Sequence, residues 1–412
     1  MKIPVASLPG LLANKISKPI DPASLKSGFN TSDIALKNTN IGQQIMTIDP
    51  TQDIQQAIDD VYNAGGGQVV LLDGTFYPKK DITMRSSIKL IGQSESATKI
   101  HFEGANYSIL VAGTDVYTTG VIVAITNSVV VVGSGTSWLA NVTAGQQIFL
   151  GTRWYEIASV ASDTMLILSD GYGDDLTLPT TYRIATIVKD VNFSNITITS
   201  STAAGGVINF DDCRNVILDE TQVTDSNVGI SMTNCSEILN DGMFSIINTG
   251  DGVQMTNCGL VNNYNFGAIS NGGYGFKLNN LKTFIFFGSA SQNNSKVGMI
   301  GTKLQAGVLI FDASGNTSHG IEFASLCSNN TIGFSYLVSN GGSGVIIEGG
   351  SNNNILNGGH YIRNKAYGVN LVDSTVSNTL IISNILQQNT SGAVNDSGTG
   401  TLIRSNIGAV DN

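Results

Sequence analysis

The sequence is poor in charge and in residues that usually carry chemistry. Asp, Glu, Lys and Arg make up 13% of its 412 residues, against roughly 25% in an average globular protein. It holds 2 Trp, 3 His, 4 Cys and 7 Pro. No run approaches the ~18 apolar residues of a membrane span, so no membrane insertion is expected. Its few basic residues form no cluster and its net charge is -10, which excludes nucleic acid as a partner and argues against anionic membranes. Cys213, Cys235, Cys258 and Cys327 form no paired CxxC, so no zinc site is expected. Nucleophile elbow, phosphate loop and HExxH are all missing, and no cofactor is implied.

What remains is rich in Gly, 47 residues, and 41% apolar. Abundant Val and Ile among small polar residues favour β-structure over disorder. From about residue 206 the chain repeats. Gly206, Gly229, Gly252, Gly275, Gly298, Gly320, Gly344, Gly368 and Gly392 each precede alternating apolar residues, at intervals of 22 to 24. Each copy reads as short strands, such as GVINF then NVILD. One such coil cannot bury its own inward face, and stacking at ~4.8 Å makes ladders and core together. Four residues before each Gly from Gly229 onward stand Asp225, Asn248, Asn271, Asn294, Asn316, Asn340, Asn364 and Gln388, expected as one structural column. Cys213, Cys235 and Cys258 are expected in one inward column continued by Leu281, Leu304 and Leu326. A disulfide between neighbouring cysteines is the alternative to buried free thiols.

Upstream, 51–63 predicts a short amphipathic helix with Ile54, Ala57, Ile58 and Val61 on one face and Thr51 as its N-cap. A helix there would shield the open end of a solenoid from edge pairing. That helix, GGGQVVLLDGTF (Gly65–Phe76) and LIGQ (Leu90–Gln93) resemble the opening of pectate-lyase-superfamily β-helix domains, found in phage tail spikes and secreted polysaccharide-degrading enzymes. The expected fold is therefore all-β: a right-handed single-stranded parallel β-helix of ~23-residue coils, with an N-terminal capping helix and an inserted small β-module. Residues 115–187, which break the period, form that module, similar to ones that interrupt β-helices in phage tail proteins. The capping helix and first coils take 49–114, and the main coils take 188–412. Residues 1–48 look like an attachment arm, in the position of a virion anchor. The N-terminus makes a poor secretion signal, since Pro4 and Pro9 interrupt its apolar core. Release at lysis as a virion part, or a leader already removed, is expected. The location implied is extracellular or virion, the partner a polysaccharide, and the assembly a homotrimer, as in spikes of this architecture. The apolar FIFFG segment (Phe284–Gly288) marks a subunit contact or a thick core.

Coil geometry offers two catalytic candidates. Asp219, Asp241 and Tyr264 lie six residues past successive column cysteines, so they should stack, the two carboxylates ~5 Å apart. Such a pair, flanked by Glu220, can split into one acid and one base or nucleophile at the spacing of a retaining glycosidase. A solvated acidic patch or a calcium site is the plainer alternative. The second cluster follows the Gly register. Gln254, Lys277 and Glu322 sit two residues after their Gly, and Asp251, Tyr274 and His319 just before it. A Lys or Tyr beside an acid could abstract the C5 proton of a uronic acid. TGDGVQ (Thr249–Gln254) and SHG (Ser318–Gly320) resemble motifs of polygalacturonase-like hydrolases, without their paired Asp and downstream Arg-x-Lys. Gln254 and Tyr274 are candidates for binding carbohydrate. So are Trp138 and Trp154, if exposed on the module; the plainer reading has them filling its core. His360, Arg363 and Lys365 could grip an anionic sugar or merely be solvated. Cleavage by a glycosidase or lyase, non-catalytic receptor binding, and a secreted adhesin or sugar epimerase all remain open on this fold.

Overall fold

A computed structural model describes residues 44–103, 107–173, 176–200 and 206–408. The expected arm lies outside the described residues except at its end. Gln44–Ile48 is not arm but the first strand of the solenoid, paired in parallel with Gly67–Leu71. That strand is too short for its alternation to be read from sequence.

The chain winds as a right-handed parallel β-helix of about 15 turns of about 23 residues. Each coil has three faces. In one coil Gly206–Asp211 forms the first face, and Cys213–Thr224 forms the second and, past a corner at Glu220, the third. The next coil repeats this as Val228–Thr233, Ser236–Asp241 and Phe244–Ile246. Parallel pairing locks Ile208 to Ile230, Val216 to Ile238 and Val223 to Ser245. Corners turn through left-handed backbone. Asp212, Asn234, Asn257 and Asn280 stand between first and second faces, all at positive φ. Asn and Gly populate that conformation most readily, which accounts for the composition.

Alternate strand residues point inward and fill one continuous core. Phe266, Phe276, Phe284, Phe286 and Phe311 form its thickest part, ring to ring edge-on at 5.1–6.1 Å. The FIFFG segment thus splits: Phe284 and Phe286 go in, and Phe287 stays 51% exposed. The four cysteines are buried and free. Cys213, Cys235, Cys258, Leu281 and Leu304 share the inward column, but Cys327 and not Leu326 continues it. Leu326 takes the left-handed corner and faces solvent.

The Asn column is a buried hydrogen-bonded ladder. Each side-chain amide donates to the carboxamide oxygen one coil on: Asn248 to Asn271 at 2.8 Å, Asn271 to Asn294 at 3.0 Å and Asn294 to Asn316 at 2.9 Å. Asn340, Asn364 and Asn389 extend it. Its ends differ from the expected column. Ser226 replaces Asp225 at the top, and Asn389 replaces Gln388 at the bottom. Asp225 and Gln388 instead occupy the left-handed position just before the ladder. The repeating Gly sits against this file. A Cβ on Gly298 would lie 2.6 Å from the Gly320 carbonyl and 2.7 Å from Asn316 Nδ2.

Helix Ile54–Asn63 buries Ile54, Ala57, Ile58 and Val61 in the same core. Asp53, not Thr51, caps it, accepting from the Gln55 and Gln56 amides. Thr51 instead donates to Asp49. Between coils an eight-stranded antiparallel sheet runs from Thr114–Tyr117 to Arg183–Thr186 around its own core.

Replacing Asn294 by Ala leaves the buried Asn271 backbone amide without its acceptor and breaks the side-chain ladder on both sides, so unfolding should cost about 1–3 kcal/mol less. Gly298→Ala should destabilise by clash with the same ladder. Urea unfolding checks both; midpoints equal to wild type would remove the ladder as a source of stability.

Candidate functional site

The solenoid turns sequence-distant residues into vertical files, and both expected clusters can be located on them. Asp219, Asp241 and Tyr264 do align, each paired with the next across parallel strands, and Phe287 follows below. Burial, then the charges of Glu220 and Asp241, raise the Asp219 carboxyl. Glu95 is raised too, by burial and by Glu220. Asn265 donates to Asp241 at 3.3 Å. This file is an acidic edge between the second and third faces. Among the described residues no group of three or more His, Cys, Asp or Glu is placed to hold a metal ion.

On the first face Gln254, Lys277, Ile300, Glu322 and Ile346 form one outward file. Asp251 is committed to structure. Its Oδ1 accepts the Tyr274 amide at 2.9 Å, and its Oδ2 accepts Gln254 Nε2 at 2.9 Å. That fixes Gln254 and seats Tyr274. Two cations gather on the Tyr274 ring, Lys296 Nζ at 4.8 Å and Lys277 Nζ at 5.9 Å from its centroid.

Two coils further, about 10 Å along the axis, lies the most perturbed carboxyl of this face. Burial, then the charge of Glu348 and a hydrogen bond shared with it, lift Glu322 to about 7. His319 stands beside it in sequence, before the same Gly. Its Nδ1 accepts the Ser343 amide at 2.9 Å, which leaves Nε2 to carry the proton of the neutral ring. Burial lowers its pKa and keeps it neutral. The ring covers Gly342, where a Cβ would meet Nδ1 at 2.5 Å. The face therefore presents a cationic aromatic station and a shared-proton carboxyl station. A carboxyl raised to near neutrality beside a second carboxyl suits proton transfer.

Sequence reasoning missed Lys296 and Glu348. Glu348 was findable: it is four residues past Gly344, the next outward position after Ile346. Lys296 sits in a turn, where spacing predicts no direction. The two tryptophans correct an expectation. Trp138 and Trp154 are buried and cannot stack on a sugar. Trp138 Nε1 donates to the Tyr182 hydroxyl at 2.9 Å inside the module. Trp154 Nε1 donates to the Asn234 carbonyl at 2.6 Å and so ties the module to a solenoid corner. Arg214, at 3.0 Å, and Arg153 pair with Glu237 beside that contact.

No protein-family model matches the chain, and no curated protein sequence matches it. Among solved structures it is similar to the A-module of the Azotobacter vinelandii mannuronan C-5 epimerase AlgE6, with TM-score 0.59 and 14% identity, over 87% of this chain and 95% of that one. The A-module of AlgE4 from the same organism gives 0.51 and 14%, over 87% and 93%. These likenesses show the β-helix fold.

A raised carboxyl has a signature in stability. The folded state holds the Glu322 proton more tightly than the unfolded chain, so its contribution is full below pH 4.5 and is lost as pH rises through about 7. Wild type should therefore lose stability relative to Glu322→Gln across that window. Urea midpoints measured from pH 4 to 8 check this; a constant difference between the two proteins would rule out a raised carboxyl.

Proposed function

We propose that this protein binds an acidic polysaccharide along the first face of the solenoid and acts on it by proton transfer at Glu322 and Glu348. The observation that carries the reading is the Glu322 carboxyl held near neutral pH, where a group can serve as both acid and base. Lys277 and Lys296, on the same face about 10 Å from Glu322, supply positive charge for the carboxylate of a neighbouring uronate in the chain. At the Glu pair a carboxylate takes the C5 proton of the reacting uronate, and the electron pair passes into that uronate's carboxyl. Departure of the O4 substituent then gives a C4–C5 double bond and chain cleavage. Return of a proton to the opposite face gives the C5 epimer instead. The neutral His319 Nε2–H is a donor available to either ending. This assignment rests on the side chains, not on the shared fold.

A second reading, hydrolysis at Asp219 and Asp241 with Tyr264, is supported by their alignment on successive coils and the raised Asp219 carboxyl. The setting we infer is extracellular, as a homotrimeric spike carried by the N-terminal arm. What favours assembly is an outward file on the second face, Ile217, Leu239, Ile285, Val308, Ile355, Leu380 and Leu402, interrupted only by Asn262 and Thr331.

Polymannuronate and polygalacturonate, incubated with the protein, should show ultraviolet absorbance from new double bonds or a changed C5 configuration by proton NMR. Glu322→Gln should lower that rate about 100-fold or more while leaving binding intact. Reducing ends without double bonds, abolished by Asp219→Asn and not by Glu322→Gln, would transfer the chemistry to the acidic edge. Binding without any product would leave a pure receptor-binding spike. Light scattering should give the mass of three chains; the mass of one would remove the trimer.

A further inference from the structure

Below the acidic edge, the corner between second and third faces changes character. At this corner successive coils place Glu220, Gly242, Asn265 and Gly288, and later Gly358, all at positive φ. Phe334 occupies the same corner with φ +46. A bulky side chain is costly there, as it is for Ile247, Leu260 and Leu326 at other corners of the chain. The ring is not used to fill the core, since Phe334 is 67% exposed. It lies instead on Gly358 of the next coil, where a Cβ would come within 3.0 Å of two ring atoms.

Two residues on, Tyr336 is 54% exposed and stacks on His360 of the next coil, with centroids 4.8 Å apart and planes inclined by 34°. Asp312 precedes Tyr336 in the same file. Its Oδ2 accepts Gln292 Nε2 at 3.0 Å, while its Oδ1 has no hydrogen-bond partner despite being covered. Such an orphaned acceptor is costly unless something donates to it. Upward, the exposed Phe287 and the Tyr264 ring, 6.4 Å apart, continue the aromatic line towards Asp241.

We propose that this corner is a second carbohydrate site, separate from the first face, that holds pyranose rings by stacking. Phe334 and the Tyr336–His360 pair receive the C–H faces of sugar rings. The rings stand on the coils of Tyr264, Phe287, Phe334 and His360, interrupted by Ile310 on one coil, so a glycan laid along the axis meets aromatic stations on either side of that gap. The site rests on the polysaccharide reading above, but not on the chemistry assigned to Glu322.

The test uses the full chain in affinity gels containing polymannuronate, polygalacturonate, a mannan or a β-glucan. Phe334→Asn suits the purpose because Asn tolerates the left-handed corner, so its thermal midpoint should equal or exceed that of wild type. In each gel that retards wild type, Phe334→Asn and Tyr336→Ala should each weaken binding roughly five- to ten-fold. Retardation unchanged by both aromatic variants overturns this site alone and leaves the first face standing. No retardation of wild type in any gel overturns both. A fall in mass by light scattering for Phe334→Asn, with binding unchanged, assigns the rings to contact between copies and overturns the proposal.

Discussion

Everything outward in this molecule depends on a buried file of amides. The carboxamides from Asn248 to Asn389 bond coil to coil, and each oxygen also takes the backbone amide of the preceding coil's ladder residue, as Asn316 does from Asn294 at 3.0 Å. In a low-dielectric interior such a network holds its geometry closely, because every displaced amide would be left unpaired. The Gly file is the counterpart of the Asn file: the strand start approaches the next coil so closely that no side chain fits. The two files together fix where each first-face strand begins. Outward positions two and four residues later are thereby fixed as well, among them Lys277, Glu322 and Glu348.

This arrangement separates stability from chemistry. The core of Phe, Ile, Leu and free Cys needs only volume and apolarity, and the thiols of Cys235 and Cys258 are pushed well up by burial, away from reactivity. The outward positions carry no such duty, so neighbouring coils can hold unrelated residues. One first-face file reads Gln254, Lys277, Ile300, Glu322, Ile346. Perturbed groups appear where the surrounding coils half-cover an outward acid, as at Glu322.

The repeat itself was legible because Gly and Asn recur at nearly constant intervals, and the alignment of Asp219, Asp241 and Tyr264 followed from counting. Counting failed where coils change length. Taking Leu326 for the column position, when Cys327 holds it, was an error of one residue. So was taking Gln388 for Asn389. In both cases the sequence offers two adjacent plausible residues, and only the corner geometry decides which takes the left-handed position. Thr51 and Asp53 posed the same ambiguity at the helix start. The tryptophans were ambiguous for another reason. Composition says that an aromatic is present, while its direction is set by partners distant in sequence, Tyr182 for one and the Asn234 carbonyl for the other.

That last point bears on where sugar is met. On the proposed reading, sugar rings would meet the aromatics that the surface exposes, since both tryptophans are buried, and a corner is a costly place for one. Gly and Asn fill the neighbouring left-handed positions at little conformational cost, whereas Phe334 does not. Destabilising residues persist at the surface when they contribute something other than stability. The flat ring on Gly358, the stacked Tyr336 and the orphaned Asp312 oxygen share one edge of the solenoid, and the Lys and Glu stations lie on another face. The same coil register that makes the fold thus supports two lines of contact along one axis, one suited to charge and proton transfer, the other to the apolar faces of sugars.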